Sequence, residues 1–380
     1  MRLLPRILET KLKKDSFKGK ALILVGPRQV GKTTLIKEIL RKTYKNVKIK
    51  SLNCDNPRDL EVLEEKDLEY LENVIGDSKI LFIDEAHKVP NIGQTLKILV
   101  DHYGKRVQIF VTASSSFNLL DKTQEPLTGR KFVYNLYPLS LEEIYPEKDY
   151  LKIQKELESL LIFGSYPEVV KKRTFEDKIQ LLRELSTSYL YKDILEFQQV
   201  KNPNIINKLL KALALQIGQE VSYTELSSLL AVDKNTIERY VDLLEKCFVI
   251  FRLSPYTQNK RKELSKLRKI YFYDLGIRNA IINNFNSFDS RDDIGKLFEN
   301  FMIVERLKYR EYHQIYSDQY FWRTYDGSEV DLVEDRGGKL FGYEFKWKEK
   351  KWSKKPLKWL EYKNSSYDVI TKENLNKFIL

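Results

Sequence analysis

The residues with the clearest chemical spacing are Gly26-Pro-Arg-Gln-Val-Gly-Lys-Thr-Thr34, which follow the apolar run Ala21 to Val25. Behind them Leu35, Ile36, Ile39 and Leu40 recur at helical spacing. Strand, glycine turn and helix form the context in which G-x-x-x-x-G-K-[ST] wraps phosphates. Gly26 and Gly31 lack a Cβ, so backbone N–H groups can approach phosphate oxygens. Pro27, Arg28, Gln29 and Val30 span the turn between them, and Thr34 starts the helix. Lys32 supplies a positive charge for the β/γ-phosphates, and the Thr33 hydroxyl a ligand for Mg²⁺. The expected ligands are ATP and Mg²⁺.

A second constellation lies at Lys79-Ile-Leu-Phe-Ile-Asp-Glu-Ala-His87, an apolar strand ending in two carboxylates. Ligands of open α/β sheets bind at the carboxyl ends of strands. There Asp84 would hold Mg²⁺, and Glu85 would orient or deprotonate the attacking water as the catalytic carboxylate. Asp84-Glu-Ala-His87 also spells the box of one helicase class, but no second helicase core follows it.

The elements that must position these residues alternate. Val47 to Leu52 reads as a strand, about Pro57 to Leu71 as a helix, and Ile92 to Tyr103 as another. Val107 to Thr112 and Phe132 to Leu136 are further strands with a helix between them. This order predicts an α/β domain over 1–140, with a parallel sheet covered on both faces.

Those motifs, with Val111-Thr-Ala-Ser-Ser-Ser116, Leu127-Thr-Gly-Arg130 and Tyr137-Pro-Leu-Ser140, resemble a prokaryotic family of AAA-superfamily P-loop ATPases with a distinctive C-terminal half. The resemblance implies that the polar run after the fourth strand reads the γ-phosphate. That role falls to Ser114 or its neighbours Ser115 and Ser116. Ala113 stands where a glycine is common in the family. Arg130 matches the family arginine before the fifth strand; contact with nucleotide, action across a subunit boundary and a packing role all remain open for it. Action across a boundary would require a homo-oligomer. Gly164-Ser-Tyr-Pro-Glu168, where Ser165 departs from a second glycine, and Tyr189 to Ile194 are also family-like, within a helical lid or linker over 141–204.

Residues 205–280 read as a winged helix. A short helix ends at Leu230, the turn Ala231 to Lys234 follows, and a second helix carries Ile237, Tyr240, Val241 and Leu244 at apolar positions. Two strand-like segments with a basic loop between them complete it. The outward face of the second helix offers Lys234, Asn235 and Arg239, and the wing offers Lys260, Arg261 and Lys262. Glu238, Asp242 and Glu245 on the same helix oppose phosphate.

In the last segment, 281–380, Glu299 lies on a helix and Asp331 on a strand. Glu344 and Lys346 are two apart on the hairpin partner, so they project from one face. This order resembles the restriction-endonuclease-like α/β core, with spacing like that of archaeal Holliday-junction resolvases. The resemblance implies Asp331 and Glu344 as metal ligands, Glu299 as an accessory ligand and Lys346 as the catalytic lysine of metal-dependent phosphodiester cleavage.

Bulk composition bounds the rest. The 380 residues are 42% apolar and carry a net charge of +12. Residues 251–280 hold eight Lys/Arg against Glu263 and Asp274, and residues 346–363 hold eight Lys against Glu349 and Glu361. The two short segments are thus each +6 and account for the whole excess. Both interleave aromatics (Tyr256, Tyr271 and Tyr273; Trp347, Trp352 and Trp359), as a polyanion-binding surface would. Two distant cysteines, Cys54 and Cys247, support neither a disulfide framework nor zinc, and three histidines leave little for a histidine metal site. No apolar run of about 18 residues and no signal core is present, so a cytoplasmic protein without a membrane segment is expected. The whole predicts an ATP-binding and hydrolysing protein that acts on DNA, its nucleotide state coupled to the metal-dependent nuclease-like domain. A DNA-binding switch without cleavage, and a signalling or scaffolding ATPase whose C-terminal half binds protein, are the alternatives.

Overall fold

The apolar runs of the first 140 residues become the central strands of a parallel sheet. The computed structural model describes residues 4–114, 127–189, 202–257, 267–348 and 355–380. Ser115, Ser116, the segment 190–194, Lys260, Arg261, Lys262 and Trp352 lie outside the described residues. The chain divides into two compact units, one built on Pro5–Tyr137 and the other on Pro138–Glu245 with Val249–Leu380.

In the first unit α1 (Leu8–Asp15) precedes β1 (Ala21–Val25), α2 (Lys32–Thr43) and β2 (Ile49–Asn53). Then come α3 (Pro57–Glu64), α4 (Leu68–Ile75), β3 (Ile80–Asp84), α5 (Ile92–Tyr103), β4 (Gln108–Ala113) and β5 (Lys131–Asn135). The strand order is β2-β3-β4-β1-β5, every pairing parallel. β1, β3 and β4 are buried along their whole length, which is why they read as unbroken apolar runs instead of alternating ones. The single helix expected from Pro57 to Leu71 is two helices. Asn56 caps the first and the Asp67 side chain accepts from Tyr70 N–H to start the second, so an N-cap residue interrupts the run.

The second unit opens with α6 (Leu141–Ile144), α7 (Tyr150–Phe163), α8 (Pro167–Lys171), α9 (Phe175–Glu184) and α10 (Pro203–Leu215). β6 (Glu220–Val221), α11 (Tyr223–Leu230), α12 (Lys234–Lys246), β7 (Ile250–Pro255) and β8 (Arg268–Phe272) follow. The last elements are α13 (Leu275–Ile281), α14 (Ile294–Tyr312), β9 (Asp318–Arg323), β10 (Glu329–Arg336), β11 (Lys339–Lys346), α15 (Leu357–Leu360), β12 (Ser365–Thr371) and α16 (Asn376–Ile379). One seven-stranded sheet runs through them in the order β12-β11-β10-β9-β7-β8-β6.

That sheet crosses the boundary expected between 205–280 and 281–380. β7 pairs parallel with β9 through Ser254/Tyr320 and Pro255/Phe321, and Tyr256 N–H continues to Phe321 O at 2.6 Å. Asn300 on α14 brackets Phe272 of β8, its Oδ1 accepting from the amide N–H at 2.8 Å and its Nδ2 donating to the carbonyl at 2.9 Å. The two segments therefore share backbone pairing and a core.

Trp359 is fully buried in a cluster with Trp322, Val330, Val333, Leu340 and Tyr367. Gly342 makes room for it, since a Cβ there would stand 2.9 Å from the indole. Trp359 is thus a core residue and offers no stacking face for a base. Tyr271 is buried too, and Trp347 packs against Phe288 and Phe298.

Candidate functional site

The candidate nucleotide site grows from β1. Gly26 leaves the strand where a Cβ would come within 2.1 Å of Leu136 O, so only glycine fits. Gly31, with φ of 98°, turns the chain into α2, and Gln29 is also left-handed at φ 58°. Lys32 opens the helix, buried, with Nζ donating to the carbonyls of Gly26 and Pro27 at 2.9 Å each. The loop carbonyls thereby hold the ammonium over the concavity at the helix N-terminus, where anions are favoured.

β3 and β4 deliver the polar groups at the same carboxyl edge. The Thr33 hydroxyl donates to Asp84 Oδ1 at 2.9 Å, and the Thr112 hydroxyl donates to the same oxygen. Glu85 follows in the left-handed region (φ 54°), its N–H donating to Thr112 Oγ1 at 3.2 Å. His87 Nδ1 lies 3.3 Å from Glu85 Oε2, and its Nε2 lies 3.2 Å from Ser114 Oγ. A hydroxyl and a carboxylate side by side next to the phosphate loop are a donor set suited to Mg²⁺, so Thr33 and Asp84 fit that ion. Burial, with Asp84 close by, pushes the Cys54 thiol up to about 12 and keeps it inert.

Neither Thr112 nor His87 has a chemical role that its place in the sequence assigns. Thr112 reads in sequence as one more β-branched strand residue, and His87 as the end of a helicase-like box. The parallel pairing of β3 with β4 brings them to Asp84 and Glu85.

Arg130 is placed elsewhere. Its carbonyl accepts from Ala21 N–H at the amino end of β1, the edge opposite the loop, about 16 Å away at 3.3 Å per residue. Its Nε donates to Asp101 at 2.5 Å. Arg130 immediately precedes β5, as expected, and of its three open roles contact with nucleotide in the same chain is the one this position disfavours.

Residues 18–145 match the family model described as an AAA domain. The first unit is a P-loop ATPase domain of AAA type. Residues 154–287 and 294–377 match two domains of unknown function (DUF8612 and DUF4143). An uncharacterized protein of Mycobacterium tuberculosis is 25% identical over 338 residues, covering 88% of this chain and 72% of that protein. A replication factor C small subunit of Sulfurisphaera tokodaii is 25% identical over 145 residues, 36% of this chain and 43% of that protein. The structure of replication initiator DnaA bound to AMPPCP and single-stranded DNA overlaps 63% of this chain and 86% of its own, with 15% identity and a TM-score of 0.34, too slight to carry an argument.

The second expected site is in the other unit. Glu299 Oε1 accepts from Tyr271 OH at 2.6 Å and from Lys269 Nζ at 3.2 Å. Lys269 also pairs with Glu329. Asp331 Oδ2 accepts from Phe345 N–H at 2.8 Å, while Glu344 pairs with Lys346 at 2.5 Å and with the Tyr367 hydroxyl. Burial, reinforced by the Glu299 charge, pushes the Asp331 carboxyl up to about 8. Burial opposes the Lys346 ammonium, but the Glu344 hydrogen bond and charge outweigh it and hold that pKa above the ordinary lysine value.

Among the described residues no group of three or more His, Cys, Asp or Glu side chains is arranged to hold a metal ion. Asp331, Glu344 and Glu299 stand close enough to act on one another and on Lys346, and each also accepts from a donor of the chain.

The expected DNA footprint is also thinner than its charge count. Arg252 pairs with Asp242 at 2.7 Å and donates to Glu245 at 2.8 Å; Arg278 pairs with Asp293 at 2.6 Å; Lys269 is buried. Lys358 pairs with Asp326 at 3.0 Å. Lys234, Asn235 and Arg239 do stand exposed on α12, beside exposed Glu238. No helix among the described residues is long and apolar enough to cross a membrane.

Proposed function

We propose that this chain is an ATP-hydrolysing switch that acts on DNA, the nucleotide state of the AAA domain governing the grip of the remaining chain. The observation that carries the hydrolytic part is the convergence of Thr33 and Thr112 on Asp84, with Glu85 next to it at the mouth of the phosphate loop. Lys32 neutralises the β/γ-phosphates, and Glu85 orients the attacking water. When bound, Mg²⁺ supplies charge neutralisation at the phosphates, held by Thr33 and, directly or through water, Asp84. His87 stands between Glu85 and Ser114, its Nδ1 3.3 Å from Glu85 Oε2 and its Nε2 3.2 Å from Ser114 Oγ, so it is placed to couple the two.

DNA is favoured as the target by the exposed Lys234, Asn235 and Arg239 on the second helix of the helix-turn-helix, flanked by the β7–β8 pair.

The test is ATP turnover by the full chain, with duplex DNA affinity measured by fluorescence anisotropy across a salt series, with and without a non-hydrolysable ATP analogue. Turnover lost in Lys32→Ala, and DNA affinity that falls with salt and changes with nucleotide, are expected. An absence of turnover would remove the hydrolytic reading. DNA affinity absent at low salt would remove the target and leave a protein-binding switch.

A further inference from the structure

Lys269 belongs to β8, in the winged segment, yet its ammonium is buried among the acids of the C-terminal segment. Glu299 reaches it from α14 at 3.2 Å, and Glu329 reaches it from the start of β10. Asp331, two residues farther along β10, also acts on it electrostatically. Tyr271, on the same strand as Lys269 and two residues on, donates to Glu299 at 2.6 Å. Lys346 closes the other side through Glu344, at 2.5 Å, and feels Asp331 and Glu299 as well. Four carboxylates from α14, β10 and β11 thus surround two ammonium groups. Acids withdrawn from water are stable only when paired, and the pairing of these partly buried ones is supplied by the chain.

We propose that Lys269 is the resident cation of this carboxylate cluster, its ammonium standing where a nuclease-like core would hold a divalent metal, so that the cluster takes up no Mg²⁺ or Mn²⁺. Mg²⁺ is held by one or two carboxylates at about 2.0–2.1 Å, with water filling its other positions, so it needs carboxylate oxygens that are free to face it. Glu299 and Glu329 direct theirs at Lys269, Asp331 at the Phe345 amide, and Glu344 at Lys346 and Tyr367. An ion entering would meet a fixed like charge that α14 and β10 already enclose. The C-terminal segment then performs no metal-dependent phosphodiester cleavage, its carboxylates being held by Lys269, Lys346 and the donors of the chain. The inference depends on neither ATP hydrolysis nor DNA binding, so its failure leaves the proposed function standing.

The experiment titrates Mn²⁺ alone into the full chain carrying Asp84→Asn, which removes the nucleotide-site carboxylate, and reads bound Mn²⁺ by electron paramagnetic resonance. With Lys269 intact, no bound Mn²⁺ is expected through the millimolar range. Lys269→Met, folded by circular dichroism, should gain one Mn²⁺ per chain and lose it again when combined with Glu299→Gln. Mn²⁺ bound with Lys269 intact and released by Glu344→Gln would overturn the proposal, as would a folded Lys269→Met chain that gains none. Should Lys269→Met fail to fold, the Lys269-intact chain still decides, with Lys269→Arg expected to stay free of Mn²⁺.

Discussion

At the scale of single residues, the nucleotide site separates binding from turnover. Lys32→Ala removes the ammonium that the loop carbonyls hold and should abolish detectable ATP binding in a titration. Glu85→Gln keeps the shape of the site and removes the carboxylate, so ATP should still bind while kcat falls by about 10²–10⁴. Unchanged turnover would show that Glu85 is not the catalytic carboxylate. His87→Ala leaves Glu85 without its ring partner at 3.3 Å. Its kcat is expected to fall by on the order of 10²-fold with ATP affinity little changed. Equal losses in affinity and kcat would point to a purely structural histidine. Asp331 carries a pH dependence of its own. Its folded carboxyl is raised from 3.8 to about 8, so the protonated form is the one the fold favours. Stability from this group is full below about pH 4 and is lost as pH rises through about 8. Asp331→Asn should flatten that part of the profile of melting temperature against pH.

At the scale of elements, the sheet of the AAA domain explains why motif positions became a site. Strand order β2-β3-β4-β1-β5 places the ends of β1, β3 and β4 side by side, so Gly26, Asp84 and Ser114 meet although far apart in sequence. The tight exit of β1 is a specific point of failure. Gly26→Ala drives a methyl to 2.1 Å from Leu136 O, and the AAA domain should lose about 1–3 kcal/mol in a denaturant titration. Elements of the other unit were partly legible as well: apolar spacing marks α12, and the Gly337-Gly338 turn marks the β10–β11 hairpin. Trp359 was not, because a Trp beside lysines reads alike whether it stacks on a base or fills a core. Only the facing Gly342 and Trp322 distinguish the two.

At the scale of the whole molecule, each unit is compact, and the second cannot be cut at residue 281 without loss. A fragment of 281–380 would expose the β9 edge that β7 covers and leave Asn300 and Glu299 without the β8 partners they bind. Such a fragment should give poorly dispersed amide resonances or aggregate; a well-dispersed, monomeric fragment would contradict this. Charge behaves similarly. The net of +12 lies in two short segments that read as a polyanion-binding surface, yet Arg252, Arg278 and Lys269 of the first neutralise acids inside their own unit.

By itself the sequence determined the phosphate loop, the Asp84–Glu85 pair and the alternating elements that carry them. These signals are local: a glycine turn between a strand and a helix, and an apolar run ending in acids, need no distant partner to be recognised. Tertiary structure alone decided which partners those groups and the later acids face. Thr112 reaches Asp84 through parallel pairing, Arg130 falls at the far edge of the sheet, and Lys269 enters an acidic cluster from a strand 30 residues before Glu299. Pairing between strands distant in the chain leaves no periodicity behind, so whether a carboxylate meets a metal or an ammonium is settled only when the sheet closes.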